Sequence, residues 1–326
     1  MPATLSAESA LELDAPRAVE ALEAYLREIR TPEYPAGLLM GLSGGVDSAL
    51  LATLVVRAIG KDGLHVAFLR ERDNESESQV KAQRMADWLG VPLEVENISD
   101  AIRERGHYSP LIMRLIGVSR FLNRAVVHKL HKVASGETPF MSTLRQHRFE
   151  GKPVRRFLYG LTGAKVANAF NGRQLYRRER LEEMAAERKA RLIGAGNRTE
   201  VLTGWFVRDG VDDVPISPIA GLYKAQVWQL ARYVGVPEDI ITQAPSPDMM
   251  RGITDEVALG LDYGRIDLVL DAIDRGRPDE ELLAEGLTQR QIDLVREMNR
   301  LSEWKRNPDH PPPPLDGGIG GGYRVN

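Results

Sequence analysis

The chain has 326 residues, no cysteine and a formal net charge of -3. The absence of cysteine excludes disulfides, cysteine-ligated zinc or iron–sulfur centres and a cysteine nucleophile. The length suits one large domain or two modest ones, and a hydrophobic content of 43% is ordinary for a globular protein. No apolar run approaches the roughly 18 residues of a membrane span, and the first residues show no signal-peptide pattern. We therefore expect a cytoplasmic protein without a membrane span.

The small net charge conceals a division along the chain. Between Arg103 and Arg191 there are 20 Lys/Arg, seven Glu and no Asp, which is a local net charge of +13. The remaining residues carry a net charge of -16. This asymmetry indicates a polyanionic ligand or an oppositely charged neighbouring surface.

The first hundred residues alternate between helical and strand patterns. Apolar residues at helical spacing predict a helix over 16–30, and a glycine-rich turn at 43–48 separates a buried strand from an apolar helix. The predicted elements that follow are a strand at 37–42, a helix at 49–59, a strand at 64–69, a helix at 75–89 and a strand at 92–98. Such alternation predicts an α/β fold with a doubly wound parallel sheet.

The alternation stops over residues 106–173 and then resumes. It continues with a helix at 176–189, a strand at 191–195, helices at 197–206 and 222–234, and further helices within 255–304. We therefore predict one α/β domain formed by 1–105 and 174–306. Residues 106–173 would form a basic, mainly helical insertion, and 307–326 a tail rich in Pro and Gly.

The most specific motif runs from Gly41 to Ala49 and reads GLSGGVDSA, between a strand and a helix. Its glycines let backbone N–H groups approach an anion closely, the helix N-terminus adds positive charge, and Ser43 and Ser48 supply hydroxyl donors. Asp47 fits beside phosphate if a cation such as Mg²⁺ lies between them. The structural alternative is a glycine turn that only caps the helix.

The Ser43–Ser48 run resembles the pyrophosphate loop of the N-type ATP pyrophosphatases. Three later stretches narrow the resemblance to ammonia-dependent NAD synthetases: GAGNRTE at 194–200, PIAGLYKAQV at 218–227 and APSPD at 244–248. The resemblance implies the adenine nucleotide alpha-hydrolase-like fold. It also implies an ATP-dependent carbon–nitrogen ligase of NAD biosynthesis that adenylates deamido-NAD, releases pyrophosphate and amidates the intermediate with ammonia.

Site roles follow from the resemblance position by position. Asp47, Lys224 and Ser246 would be catalytic, and Asp47 and Glu200 would bind Mg²⁺. The implied ATP-binding residues are Gly41, Ser43, Gly44, Gly45, Val46, Asp47, Ser48, Ala195, Lys224 and Ser246. On the residues alone, Glu200 could instead be a first-turn helix acid and Lys224 part of a solvated helix face.

The acceptor side departs from the family pattern. Arg208 stands where the family has a lysine, and Pro215 where it has an aspartate that Asp212 or Asp213 could replace. The C-terminal His-Lys pair of the family reads Trp304-Lys305 here. The implied substrate-binding residues are Arg178, Arg180, Arg208, Asp212, Asp213, Trp304 and Lys305.

These departures keep two other functions open. A related ATP pyrophosphatase could adenylate a different carboxylate or a phosphorylated acceptor, and a polyanion-binding module could retain a degenerate ATP site. The resemblance further implies a homodimer, and without a cysteine we expect ammonia from solution or from a separate partner. The basic residues 111–133 would form a lid or dimer-interface segment. The alternatives there are a membrane-surface helix or a nucleic-acid arm, and we do not expect nucleic acid to be the ligand.

Overall fold

A parallel sheet of four strands lies at the centre of the fold. The computed structural model describes residues 11–109, 138–145, 164–246, 254–306, 308–310 and 313. Its strands are β1 (Leu38–Gly41), β2 (Leu64–Arg70), β3 (Leu93–Asn97) and β4 (Arg191–Leu192). All neighbouring strands pair in parallel, in the order β3-β2-β1-β4.

Helices connect and flank these strands. In chain order they are α1 (Ala15–Ile29), α2 (Val46–Ile59), α3 (Ser76–Leu89), α4 (Ser99–Glu104), α5 (Pro139–Leu144), α6 (Ala164–Arg188), α7 (Arg198–Thr203), α8 (Lys224–Tyr233), α9 (Glu238–Ile241), α10 (Asp255–Leu259), α11 (Tyr263–Arg275), α12 (Asp279–Ala284) and α13 (Gln289–Ser302). The prediction of a helix at 176–189 is wrong at its start, because α6 already begins at residue 164. Its first half mixes small and apolar residues with Asn, Arg and Gln, contains Gly172 and shows no clear apolar stripe, so the sequence pattern did not reveal it.

Alternate residues of the strands enter two separate cores, as expected for a sheet covered on both faces. Leu38 and Met40 of β1 pack in one core with α1, α2 and α8. Leu39 of the same strand packs in the other core with Leu181 and Met184 of α6. The predicted doubly wound parallel sheet is therefore confirmed.

A third core lies among the C-terminal helices. It joins α5, α11, α12 and α13 and includes the fully buried Tyr263, Ile266 and Met298. Because α11 also contacts α7 and α8, this helical layer supports the elements that follow β4.

Only part of the predicted insertion belongs to the described residues. The basic segment 111–133 lies outside them, as do most residues of the tail after His310. Helix α6 runs without a break across the predicted boundary at 173/174, and the domain boundaries stay predictions. Within the described ranges, no helix combines the length and the apolar character needed to cross a bilayer.

The strand order fixes where a ligand can bind. The chain proceeds outward from β1 to β2 and β3, and then returns to place β4 on the other side of β1. In open α/β sheets, ligands bind beyond the carboxyl ends of the strands where the order reverses. The segments that leave β1 and β4 there are 42–48 and 193–200.

Candidate active site

The turn after β1 forms an anion cradle, defined here as residues Ser43–Ser48. The hydroxyls of Ser43 and Ser48 lie 3.0 Å apart, and Ser48 also donates to the carbonyl of Gly45 at 3.0 Å. Helix α2 begins directly after Gly45, so its first N–H groups have no partner within the helix. Backbone N–H groups, hydroxyls and a helix N-terminus together can bind a phosphate.

Gly44 is required by the shape of the cradle. Its φ is +82°, and a Cβ atom there would lie 2.6 Å from the carbonyl oxygen of Ser78 at the start of α3. A side chain would therefore force α3 away from the cradle as well as strain the backbone.

The segment after β4 forms the second wall of the site. Asn197 caps α7 in a capping box: its side-chain oxygen accepts from the N–H of Glu200 at 3.0 Å, and the Glu200 carboxylate accepts from the N–H of Asn197 at 3.3 Å. The Asn197 amide also donates to Asp47 at 2.9 Å. Asn197 thus ties the two predicted metal carboxylates to each other. Sequence reasoning gave Asn197 no role, although an Asn three residues before a Glu is a capping-box signal.

Lys224 closes the cluster from a third direction. It is the first residue of α8, and its side chain is only 2% exposed. The ammonium donates to Asp47 and lies 3.9 Å from the Glu200 carboxylate. The alternative of a solvated helix face is therefore wrong for Lys224. Glu200 does lie in the first turn of α7, as the alternative for this residue stated. Its carboxylate also faces the Lys224 ammonium, so it belongs to the cluster as well.

Burial and charge shift the protonation of this cluster. Burial raises the pKa of Glu200 well above its usual value, and the negative charge of Asp47 adds to the rise. Burial alone would lower the pKa of Lys224, but the charges of Asp47 and Glu200 outweigh it and raise that pKa. The site therefore keeps a positive charge between two crowded carboxylates.

The oxygen ligands of the cluster suit a hard cation. Among the described residues there is no group of three or more His, Cys, Asp or Glu that could enclose a metal ion. Mg²⁺ usually needs no such cage, because it takes one or two carboxylates together with waters and substrate phosphates. Asp47 and Glu200 fit that requirement.

The loop that contains Ser246 adjoins a buried aspartate. The carbonyl of Pro245 accepts from the N–H of Asp255, and Asp255 accepts from the hydroxyl of Tyr263 at 2.8 Å. Burial raises the pKa of Asp255 to about 6. Ser246 itself is half-buried, and residues 247–253 lie outside the described part of the chain.

Two aspartates occupy the loop on the acceptor side. Burial raises the pKa of Asp212 to about 6; the positive charge of Arg177 opposes this rise and the charge of Asp47 adds to it. Asp213 is nearly buried, accepts from the N–H of Asp209 at 2.8 Å, and lies 2.7 Å from the Nδ1 atom of His310. Asp212 therefore lies close enough to Asp47 for their charges to interact, whereas Asp213 holds the loop and the C-terminal segment together.

The other predicted substrate residues make contacts of their own. Lys305 donates to the carbonyls of Gly204 and Phe206, and burial lowers the pKa of its ammonium to about 7. Arg208 donates to the carbonyl of Trp304, whose side chain is largely exposed. These three residues join the C-terminal segment to the loop around 204–208.

Arg178 and Arg180 point in different directions from α6. Arg178 donates to the carbonyl of Asp213 at 2.8 Å, so it reaches the acceptor-side loop. Arg180 binds Glu96 on β3 at 2.8 Å and Glu183 at 2.9 Å. The structure places Arg178 near the site, but the described partners of Arg180 lie towards the β3 edge.

A cavity of about 450 Å³ opens beyond the carboxyl ends of β2 and β3. The mixed charge of its lining does not favour an anion over a cation. The charged lining residues are three arginines and three acids: Arg70, Arg72, Arg103, Glu71, Glu75 and Asp100. It lies next to the cradle, because Gln79 lines it and the neighbouring Ser78 touches Gly44.

The chain is similar to proteins of one known family. Residues 18–109 and 157–309 match the NAD synthase family. The chain is 33% identical to the NH(3)-dependent NAD(+) synthetase of Thermotoga maritima over 285 residues, which cover 87% of this chain and 95% of that protein. It is 30% identical to the protein of the same name from Methanosarcina acetivorans, over 85% and 90% of the two chains.

Solved structures confirm the fold. An NMN synthetase from Francisella tularensis superposes with a TM-score of 0.64 at 22% identity, over 91% of this chain and 97% of the other. An NH3-dependent NAD synthetase from Campylobacter jejuni gives 0.61 at 20% identity, over 91% and 98%. The expected adenine nucleotide alpha-hydrolase-like architecture is therefore confirmed.

Proposed function

This chain belongs to the NAD synthase family, and from that membership we propose that it forms NAD from deamido-NAD, ATP and ammonia. A carboxylate oxygen of deamido-NAD attacks the α-phosphorus of ATP, and the bond to pyrophosphate breaks. Ammonia then attacks the acyl carbon of the adenylate, AMP leaves, and a proton is released. The observation that carries this proposal is the meeting of Asp47, Glu200 and Lys224 beside the anion cradle.

The chain's own groups would stabilise the leaving pyrophosphate. The cradle supplies N–H groups and the hydroxyls of Ser43 and Ser48 to its oxygens, and the Lys224 ammonium supplies a full charge at a buried position. Fixed donors in a site that excludes water stabilise developing charge more strongly than donors in water do. Gly41 and Ala195 would line this region at the ends of β1 and β4, and Ser246 would approach the phosphates from its loop.

Asp47 and Glu200 are the residues that would hold Mg²⁺. Burial and the charge of Asp47 raise the pKa of Glu200, so a divalent cation between the two carboxylates would favour the ionised form of Glu200 and offset their repulsion. When bound, Mg²⁺ would neutralise part of the triphosphate charge and so favour departure of pyrophosphate.

The acceptor would bind on the side of the loop 204–215. There Arg178 and Arg208 offer positive charge for the substrate pyrophosphate, and Asp212, Asp213, Trp304 and Lys305 would surround the nicotinate end. Arg180 would have to leave Glu96 and Glu183 to join them. A second candidate function changes the acceptor to another carboxylate or phosphorylated compound. The specific observation behind it is Asp212 on the loop that carries the Arg208 and Pro215 departures: burial raises the pKa of its carboxyl group, and the charge of Asp47 adds to the rise. A homodimer and a cytoplasmic location stay predictions of the resemblance.

The proposed function is tested by incubating the protein with ATP, Mg²⁺, ammonium and deamido-NAD, and measuring AMP, pyrophosphate and NAD. We expect the three products in equal amounts. Nicotinic acid mononucleotide is the informative second acceptor, since one solved neighbour is named an NMN synthetase. Pyrophosphate released only with another acid would favour the second candidate. If no acid is adenylated, the result would favour the polyanion-binding module with a degenerate ATP site.

Asp47→Asn tests the metal and phosphate side of the same reaction. The amide loses the charge that Mg²⁺ needs, so we expect pyrophosphate release to fall by about 10²–10³-fold. Asp62→Asn, an exposed aspartate beyond the far end of α2, is the matched control and should leave the rate unchanged. Full activity of Asp47→Asn would contradict the metal assignment.

A further inference from the structure

Helix α11 carries an aspartate that is completely buried and that touches the two helices bearing Glu200 and Lys224. Asp267 has 0% exposure. One carboxylate oxygen accepts from the hydroxyl of Thr199 at 2.5 Å, and the other accepts from the N–H of Ala225 at 2.8 Å. Burying a carboxyl group costs free energy unless hydrogen bonds replace its lost hydration, as they do for both oxygens of Asp267.

The Thr199 hydroxyl extends this contact to the start of α8. It accepts from the N–H of Lys224 at 2.9 Å while it donates to Asp267. Asp267, Thr199 and the N–H groups of Lys224 and Ala225 therefore form one hydrogen-bonded unit, called here the Asp267 clasp. Thr199 directly precedes Glu200, so the clasp joins the backbone positions of both site residues.

The clasp supplies acceptors for the first N–H groups of α8. The first N–H groups of a helix need acceptors from outside it, and these usually come from the side chain of the N-cap residue. The side chain of the N-cap residue, Tyr223, does not cap α8, because its hydroxyl binds Asp274; the N–H of Tyr223 donates to the Gln226 side chain at 3.0 Å. Thr199 from α7 and Asp267 from α11 supply the acceptors.

We propose that Asp267 is a positioning residue, which fixes the distance between the Lys224 ammonium and the Glu200 carboxylate by capping α8 through Thr199. It touches neither substrate nor metal. Glu200 on α7 and Lys224 on α8 face each other from separate segments of the chain. Within the clasp, the bond from the Lys224 N–H to the Thr199 hydroxyl links the first turns of these two helices, and Asp267 holds that hydroxyl. The inference rests on the proposed function, since the positioned groups are those of the adenylation step.

The same helix offers a matched control. Asp271 lies one turn further along α11 and is 3% exposed, but its described partner is Arg275 on α11 itself. Asp271→Asn therefore removes a buried carboxylate from the same helix without touching the clasp.

The experiment compares steady-state kinetics of Asp267→Ala, Asp267→Asn and Asp271→Asn, with folding monitored by circular dichroism and thermal unfolding. Misplacement of a catalytic group by about 1 Å can lower a rate about 100-fold, and we expect a fall of that size in kcat for Asp267→Ala. The KM for ATP should change less than about threefold, because the fall reflects transition-state contacts rather than binding. Asp267→Asn keeps an acceptor for Ala225 and a polar partner for Thr199, so it should recover most of the rate.

A purely structural role would lower the unfolding temperature and leave kcat per folded molecule unchanged. That result for Asp267→Ala, or an equal loss of kcat in Asp271→Asn, overturns the proposal. If Asp267→Ala does not fold, Thr199→Val decides: it keeps the shape and removes the hydroxyl, so its kcat should fall and Thr199→Ser should restore it. An unchanged kcat in Thr199→Val overturns the proposal. If the unaltered protein forms no NAD, the proposed function is contradicted instead. That measurement comes first, so the two failures are distinguishable.

Discussion

The ATP side and the acceptor side of the site are built in different ways. Asp47, Glu200 and Lys224 each lie in the first turn of a helix, and two of these helices follow strands of the central sheet. The acceptor side is a loop at 204–215, held mainly by contacts from the C-terminal segment through Lys305 and His310. Helix starts fixed by a sheet give a rigid geometry, whereas a loop held by a terminal segment can change its side chains with little effect on the fold.

The distribution of buried charge follows the same division. On the ATP side the buried ammonium of Lys224 offsets two carboxylates that face it. On the acceptor side Asp212 has no described hydrogen-bond partner for its carboxyl group, and burial raises its pKa. We therefore expect changes on the ATP side to lower the rate, and changes on the acceptor side to alter stability or acceptor binding.

The largest effect is expected for Gly44→Ala on the ATP side. A Cβ atom would lie 2.6 Å from the Ser78 carbonyl oxygen, at a φ of +82° that non-glycine residues rarely adopt. We expect a loss of about 2–4 kcal/mol in the free energy of unfolding, from strain and overpacking together. Displacement of the cradle should also lower kcat for NAD formation about 100-fold. Urea unfolding and steady-state kinetics measure the two effects.

Gly60→Ala is the control for strain alone. Gly60 has nearly the same φ, +83°, but a Cβ atom there meets no atom within 4 Å. Its free energy of unfolding should fall by about 1–3 kcal/mol from backbone strain, with kcat unchanged. If Gly44→Ala behaved like Gly60→Ala, the close approach of α3 to the cradle would have no role in the reaction.

An intermediate effect is expected for Asp212→Asn on the acceptor side. Because burial raises the pKa of Asp212 to about 6, the folded protein retains a proton that the unfolded chain releases near pH 4. The aspartate therefore destabilises the folded state increasingly as pH rises from about 4 to about 6, and not below that range. Asp212→Asn should raise the free energy of unfolding at pH 7.5 by about 1–2 kcal/mol, and should equal the unaltered protein near pH 4.

Urea unfolding of both proteins at the two pH values tests this prediction. A variant that is less stable at pH 7.5 would show that Asp212 is ionised and favourably paired there. Kinetics on the same samples sharpen the comparison: the KM for ATP should stay unchanged, while any change appears in the KM for the acceptor.

The sequence predicted the strand, turn and helices that carry Asp47 and Glu200, because their signals are local. A strand, a glycine turn and a helix follow one another within 41–49, and a short strand leads directly into the segment that carries Glu200. The parallel sheet followed from the same alternation. The helical start of α6 was missed because residues 164–175 show no clear apolar stripe and contain a glycine.

Other features of the site depend on contacts between distant segments. Asp267 lies in a helix where an acid at helical spacing is typical of a solvated face, and nothing in its own segment indicates that it caps α8. Lys305 was predicted to bind substrate, but its ammonium donates to two backbone carbonyls about 100 residues earlier in the chain. Such pairings are set by tertiary packing, so only the structure reveals them.

The smallest effect is expected where the C-terminal segment meets the acceptor loop. His310 bonds Asp213 at 2.7 Å, and Asp213 is also fixed through the N–H of Asp209. His310→Ala should therefore lower the free energy of unfolding by less than about 1 kcal/mol. The KM for deamido-NAD should rise by at most about fivefold, since 1.4 kcal/mol corresponds to tenfold, and the KM for ATP should not change. His65→Ala is the control, because the described hydrogen bond of His65 joins it to the Ala36 carbonyl at the opposite end of the sheet. It should change neither KM.

A fall in kcat for His310→Ala, or a rise in the KM for ATP, would mean that the C-terminal segment also positions the ATP side. The division between the two regions would then no longer hold.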